Sequence, residues 1–171
     1  MLTLRPFVLT LLLDAASFAT LDDLRRQYFP PERNFLPAHV TLFHALPAER
    51  EDVFRESLRD VCAQTRTLPL RFPGWRFLGK GVAVEIDSPE LLAVRAELSE
   101  SWGAWLGAQD RQKYRPHATV QNKVEPEKAR ALYEQLTGGW RGLTGRGEGL
   151  LLWRYLGGPW ELIEEIKFTG L

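Results

Sequence analysis

The sequence is poor in the residues that most often announce a function. It has one cysteine, one methionine and three histidines, and 22 Lys and Arg are matched by 22 Asp and Glu. A lone Cys62 excludes an internal disulfide and fits a reducing cytosol. It falls on an apolar helical face, where a thiol fills core. Zero net charge excludes a broad, sequence-indifferent grip on nucleic acid, which needs many unpaired cations. A small anion held by a few local charges is not excluded. No apolar run is long enough to span a membrane. There is no HExxH, no CxxC and no carboxylate cluster to support a metal, no carboxylate pair suggests glycosidase chemistry, and Gly79-Lys80-Gly81 lacks the spacing of a phosphate-binding loop. The apolar start, Phe7 to Leu13 with small residues to Ala19, has the composition of a secretory leader. Only Arg5 precedes it and Pro6 opens it, so it reads as a core strand.

What is there is ordinary globular material: 171 residues, 44% hydrophobic and 26% charged. That length makes one domain with a real core. Apolar periodicity divides it into two similar series, over roughly 1–80 and 81–171. In the first, Leu4 to Leu13 reads as a buried strand. Thr20 and Asp23 then resemble a capping pair for a helix carrying Leu21, Leu24 and Tyr28. A proline-bounded loop leads to a strand, His39 to Leu46. A helix over Glu49 to Thr65 and an extended stretch, Leu68 to Leu78, broken at Pro73-Gly74, complete it. The second series has a strand at Val82 to Ile86 and a helix opened by Ser88 and Pro89. The strand His117 to Val124 and a helix from Pro126 follow. Gly138 to Gly149, rich in glycine, reads as a flexible loop. Leu150 to Phe168 reads as a hairpin around Gly157-Gly158-Pro159.

Two of the three histidines sit at matching points of these series, in "HVTL" (His39 to Leu42) and "HATV" (His117 to Val120). Side chains alternate along a strand, so His39 shares a face with Thr41, and His117 with Thr119. The apolar residues between them face a core. Gln121 and Lys123 continue the second polar line, and Arg115 lies on the same face ahead of it. His44 follows His39 by an odd number of residues. It should face the other way unless a bulge intervenes, and it reads as a structural or rim residue. A three-histidine metal site is therefore not expected. Two imidazoles with two hydroxyls suit acid–base chemistry on a phosphodiester: one ring removes a proton, the other supplies one, and the hydroxyls donate to phosphate oxygens.

These two motifs and the order of elements resemble the 2H phosphoesterase superfamily, also called the 2′-5′ RNA ligase-like family. The resemblance covers most of the chain. It implies an α+β, bilobal fold with antiparallel sheets lining a central cleft and helices outside. It also implies metal-independent chemistry on 2′,3′-cyclic phosphates or 2′-5′ linkages, with no cofactor. His39 and His117 match the catalytic pair, and Thr41 and Thr119 the phosphate-binding hydroxyls. Where many members carry arginine soon after the second motif, this chain has Gln121, Asn122 and Lys123.

The sequence thus leads to an expected cytoplasmic, monomeric phosphodiesterase. Its substrate would be a small nucleotide or an RNA terminus, with no membrane and no obligate protein partner. It would open a 2′,3′-cyclic phosphate to a 2′-phosphate and possess a reversible 2′-5′ ligase activity at the same site. Catalysis falls to His39 and His117, and substrate binding to Thr41, Thr119, Gln121, Lys123 and Arg115. Trp153, Tyr155 and Trp160 are candidates for stacking on a base. Two other readings fit the same residues: a phosphoesterase for another cyclic or 2′-5′ linked nucleotide, and a cleft that binds an RNA end without turning it over.

Overall fold

A computed structural model describes residues 4–171; the first three residues of the leader-like segment lie outside the described residues. The early apolar run forms strand β1 (Phe7–Leu13), starting after Pro6 rather than at Leu4. Helix α1 (Ala15–Tyr28) follows at once. Its cap is Asp14, not Thr20: one carboxylate oxygen accepts from Ser17 N at 3.1 Å and the other from Arg146 N at 2.8 Å. The small residues after Leu13 therefore open a helix. That cap is worth about 1 kcal/mol, and its second bond ties the helix start to a strand far along the chain.

The remaining elements are β2 (Thr41–Leu46), α2 (Glu51–Gln64), β3 (Leu68–Phe72), β4 (Trp75–Phe77), β5 (Val82–Glu85) and α3 (Pro89–Trp102). They are followed by β6 (His117–Gln121), α4 (Pro126–Gly139), β7 (Leu143–Tyr155) and β8 (Trp160–Lys167). Ser88 caps α3, its hydroxyl accepting from Leu91 N at 3.1 Å, with Pro89 in the first turn, as the residues foretold.

The strands form two antiparallel sheets. One runs β2-β1-β7-β3 with β8 also on β7; the other runs β4-β5-β6. The sheets do not coincide with the two sequence series: the first takes strands from both ends of the chain, and the second takes β4 from before residue 80. Helix α1 packs across β6 and β7 and so joins the sheets. Its Arg25, 4% exposed, donates to the Thr119 carbonyl at 3.0 Å and lies over the Phe29 ring.

The glycine-rich stretch is not a flexible loop. It enters β7, the strand shared by β1, β3 and β8. Glycine is needed there for space. A Cβ on Gly145 would lie 2.1 Å from Ser17 Oγ, and one on Gly149 would lie 2.4 Å from the Ile166 carbonyl oxygen. The glycines let α1 and β8 close on the strand, a constraint no local pattern reveals.

One continuous core lies behind the sheets. Phe7, Leu9 and Leu11 of β1 meet Leu150 and Leu152 of β7, with Phe54, Leu58 and Cys62 of α2 and Leu91, Leu98 and Trp102 of α3. Each fully buried Leu or Phe contributes roughly 1.5–3 kcal/mol. The Cys62 thiol is pushed up to about 12, first by burial and then by the nearby Glu164 carboxylate, and it packs as a small apolar group. Among the described residues, no helix is long and apolar enough to cross a membrane.

Candidate active site

Val40, Leu42, Ala118 and Val120 are all buried, which turns the intervening His and Thr side chains outward from the core. His39 lies just ahead of β2, but Leu11 N donates to the Val40 carbonyl at 2.9 Å, so the arm carrying it is already held against β1. His117 is the first residue of β6, opposite Glu85. Both imidazoles are half-buried and border a single cleft of about 490 Å³, with Thr41 and Thr119 beside them.

The two rings are oriented alike. His39 Nδ1 is 2.8 Å from the Pro37 carbonyl oxygen, and His117 Nδ1 is 2.9 Å from that of Arg115. A carbonyl only accepts, so each Nδ1 carries hydrogen in this bond, and Nε2 is left for chemistry. In each case the acceptor lies two residues upstream, and a proline (Pro37, Pro116) shapes the approach. The repeated motif is thus repeated as a local geometry.

The surroundings of the rings differ. Burial above all, with the charges of Arg25, His117 and His44, lowers the His39 pKa to about 4 against the partial support of its Pro37 bond. His117 is also lowered, first by burial; the Arg115 bond raises it, Arg76 lowers it and Glu85 raises it. Arg76 is gripped by Glu85 through Nε–Oε1 at 2.6 Å and Nη2–Oε2 at 2.7 Å. Its Nη1 comes within 3.2 Å of His117 Nδ1. A guanidinium only donates, so Nδ1 can serve Arg76 or the Arg115 carbonyl, but not both at once. Protonated His117 gives Nδ1–H to the carbonyl and presents Nε2–H.

Of the other expected site residues, Arg115 borders the cleft, exposed and 3.7 Å from Glu85. Gln121 and Lys123 do not. Gln121 is 2% exposed and ends β6; Lys123 lies beyond, in a turn with φ 62°, where strand alternation no longer applies. The polar line along β6 therefore stops at Thr119.

His44 departs from the facing that a regular strand would give it. The pairing Leu9–Phe43 and Thr10–Thr41 is broken by a register shift, a bulge in β2 that buries Leu42 and Phe43 in succession. That extra residue turns His44 to the cleft, which it borders. Its Nδ1 is 3.2 Å from Asp110, whose carboxylate also accepts from the backbone N–H of His44 at 2.8 Å and of Ala45 at 3.0 Å. Burial pushes the Asp110 carboxyl up, but these three bonds outweigh it and hold the group below the ordinary range.

Further residues meet at the site, several of them without a local signal in the sequence. Arg76, Glu85, Asp110 and Arg25 reach it only through tertiary structure. Tyr114 donates its hydroxyl to the Thr41 carbonyl at 2.9 Å. Arg95 donates to the Leu42 carbonyl at 2.8 Å and the Asp110 carbonyl at 2.7 Å, and its guanidinium lies over the Phe43 ring. Trp160 leans on His39 with ring centroids 4.8 Å apart. It also borders a second, largely apolar chamber of about 360 Å³ with Leu12, Phe18, Leu151 and Trp153.

Comparison with known proteins bears on the chain as a whole. The model of a family described as the 2′-5′ RNA ligase superfamily matches residues 13–159. TT0787 of Thermus thermophilus is 16% identical, covering 96% of this chain and 98% of its own, at TM-score 0.66. E. coli LigT, solved with 3′-AMP, is 17% identical, covering 97% and 99%, at TM-score 0.64. Usb1 of Kluyveromyces marxianus is 14% identical, covering 96% and 99%, at TM-score 0.52. At these identities the structures establish a shared α+β fold. No curated protein matches by sequence.

Proposed function

The chain belongs to the 2′-5′ RNA ligase superfamily of 2H phosphoesterases, and from that premise we propose that it opens the 2′,3′-cyclic phosphate of a nucleotide or RNA end to a 2′-phosphate. The observation that carries this reading is the paired setting of His39 and His117, each with Nδ1 on a carbonyl two residues upstream and Nε2 free at one cleft.

In this reaction His39 Nε2 removes a proton from water as its oxygen bonds to phosphorus. The bond from phosphorus to O3′ breaks, and His117 Nε2–H protonates the departing oxygen. One proton enters and one leaves, so the pair ends with its protons exchanged and resets through solvent. The direction follows from the contrast between the two rings. Burial first, and then the Arg25 cation, hold His39 neutral down to about 4. His117 is also lowered, by burial and by Arg76, but there the Glu85 carboxylate offsets part of the effect, a support for imidazolium that His39 lacks. The Thr41 and Thr119 hydroxyls serve the phosphate oxygens, and strain in the five-membered ring lowers the demand on the protein. The apolar chamber past Trp160 suits the base. No step requires a metal. Reversible 2′-5′ ligation uses the same groups and would be secondary.

The test is turnover of a 2′,3′-cyclic nucleotide with chelator present. His39→Ala and His117→Ala should each lose on the order of 10²–10⁴-fold in rate. Undiminished turnover in both variants would sink the assignment, and binding without turnover by the wild type would favour a capture module.

A further inference from the structure

The acid–base pair accounts for two of the three imidazoles at the cleft. The third, His44, is 44% exposed on an otherwise 2% exposed partner, Asp110. Asp110 does not need the ring for its own satisfaction: each carboxylate oxygen already accepts a backbone N–H, from His44 and from Ala45. The ring does need Asp110. With Nδ1 held there, the other nitrogen, Nε2, is left free, and the ring has lost its freedom to turn. Asp110 is itself fixed, because Arg95 donates to its carbonyl from the buried side. The β2 bulge, the buried carboxylate and the arginine behind it together aim one exposed imidazole.

The same wall is rich in positive charge. Among the described residues, the cleft is bordered by Arg76, Arg95, Lys113 and Arg115 against one carboxylate, Asp110, with Glu85 behind Arg76 and 3.7 Å from Arg115, in a chain whose formal net charge is zero. Arg76 is neutralised by Glu85 and Arg95 is engaged with carbonyls and rings. Lys113 and Arg115 are exposed on the segment that supplies Asp110. One phosphodiester between His39 and His117 leaves these groups unused.

We propose that His44, held by Asp110 and flanked by Lys113 and Arg115, is a subsite for a second phosphate group of the substrate. This rests on the reading of the cleft as a phosphoesterase site. A ring that gives Nδ1–H to Asp110 and Nε2–H to a phosphate is an imidazolium shared between two anions, a charge-assisted arrangement. The shared chemistry, a phosphate one nucleoside away from the reacting one, has two sources: a 5′-terminal phosphate and an internal phosphodiester.

The experiment compares three substrates: a nucleoside 2′,3′-cyclic phosphate with a free 5′-hydroxyl, its 5′-phosphorylated form, and a dinucleotide ending in the cyclic phosphate. The wild type should prefer one or both of the larger substrates in kcat/KM, through KM, by about ten- to a hundredfold. His44→Ala and Asp110→Asn should collapse that preference toward one; which substrate shows it identifies the source. Equal preference in wild type and His44→Ala overturns the proposal. A second measurement is independent of turnover. With only three histidines, each imidazole is assignable by NMR. Inorganic phosphate should still shift the His44 ring in a His39→Ala/His117→Ala protein, and an unmoved ring would also overturn the subsite. If no cyclic substrate is turned over but phosphate still moves His44, the function reading fails and the subsite stands.

Discussion

The ion pair behind His117 is the most exacting test of the assigned roles. Glu85→Gln removes the carboxylate that favours imidazolium at His117 and leaves Arg76 uncompensated 3.2 Å from Nδ1. At that separation two like charges repel by about 1.3 kcal/mol in bulk water and by about 5 kcal/mol at the dielectric of a protein surface. The ring is half-buried at an open cleft, so a value near 2 kcal/mol is expected, a shift of about 1–2 pH units. The sign follows from the roles. His39 must be unprotonated, so kcat/KM rises as pH passes about 4. His117 must be protonated, so kcat/KM falls as pH passes a value below 6.5. The wild type should show a bell with its optimum between these limits. Glu85→Gln should leave the acid limb in place and move the alkaline limb down, costing about ten- to a hundredfold at neutral pH. Adding Arg76→Gln removes the repelling charge and should bring the limb most of the way back. The assay is kcat/KM against pH for a chromogenic or radiolabelled cyclic nucleotide. An alkaline limb that stays put in Glu85→Gln would refute His117 as the acid, and a moved acid limb would reverse the two roles.

Trp160→Ala should raise KM by about ten- to a hundredfold, if a base stacks beside His39, with little change in kcat; an unchanged KM would remove the apolar chamber from substrate binding. Gly149→Ala should destabilise the fold by about 1–3 kcal/mol in urea unfolding, because the new Cβ meets β8 backbone 2.4 Å away. A wild-type midpoint would show that β8 shifts freely. Cys62 should resist thiol reagents at pH 8 until the protein unfolds, since its thiol is buried and held near 12; fast labelling of native protein would contradict the core packing.

Local chemistry made much of this protein legible. Strand alternation in HVTL and HATV separates buried Val40, Leu42, Ala118 and Val120 from the cleft-facing His39, Thr41, His117 and Thr119. Ser88-Pro89 marks a helix start because capping involves only the next few residues. Periodicity and turn chemistry are short-range, so they can be read along the chain. Where the outcome depended on what lies opposite, they were silent. A bulge set by pairing with β1 reversed the face of His44. The same glycines that read as a flexible loop are what β7 requires once α1 and β8 press on it. Gln121 continued a polar line on paper, but β6 ends there and the residue is buried. Arg76, Glu85, Arg25 and Asp110 come from β4, β5, α1 and a loop, and no spacing links them to either motif. The sequence by itself determined which side chains could do acid–base work and which face of each strand they would share. Only the tertiary structure decided how those groups are charged and oriented, because a pKa and a tautomer depend on neighbours that the fold, not the chain, brings within a few ångströms.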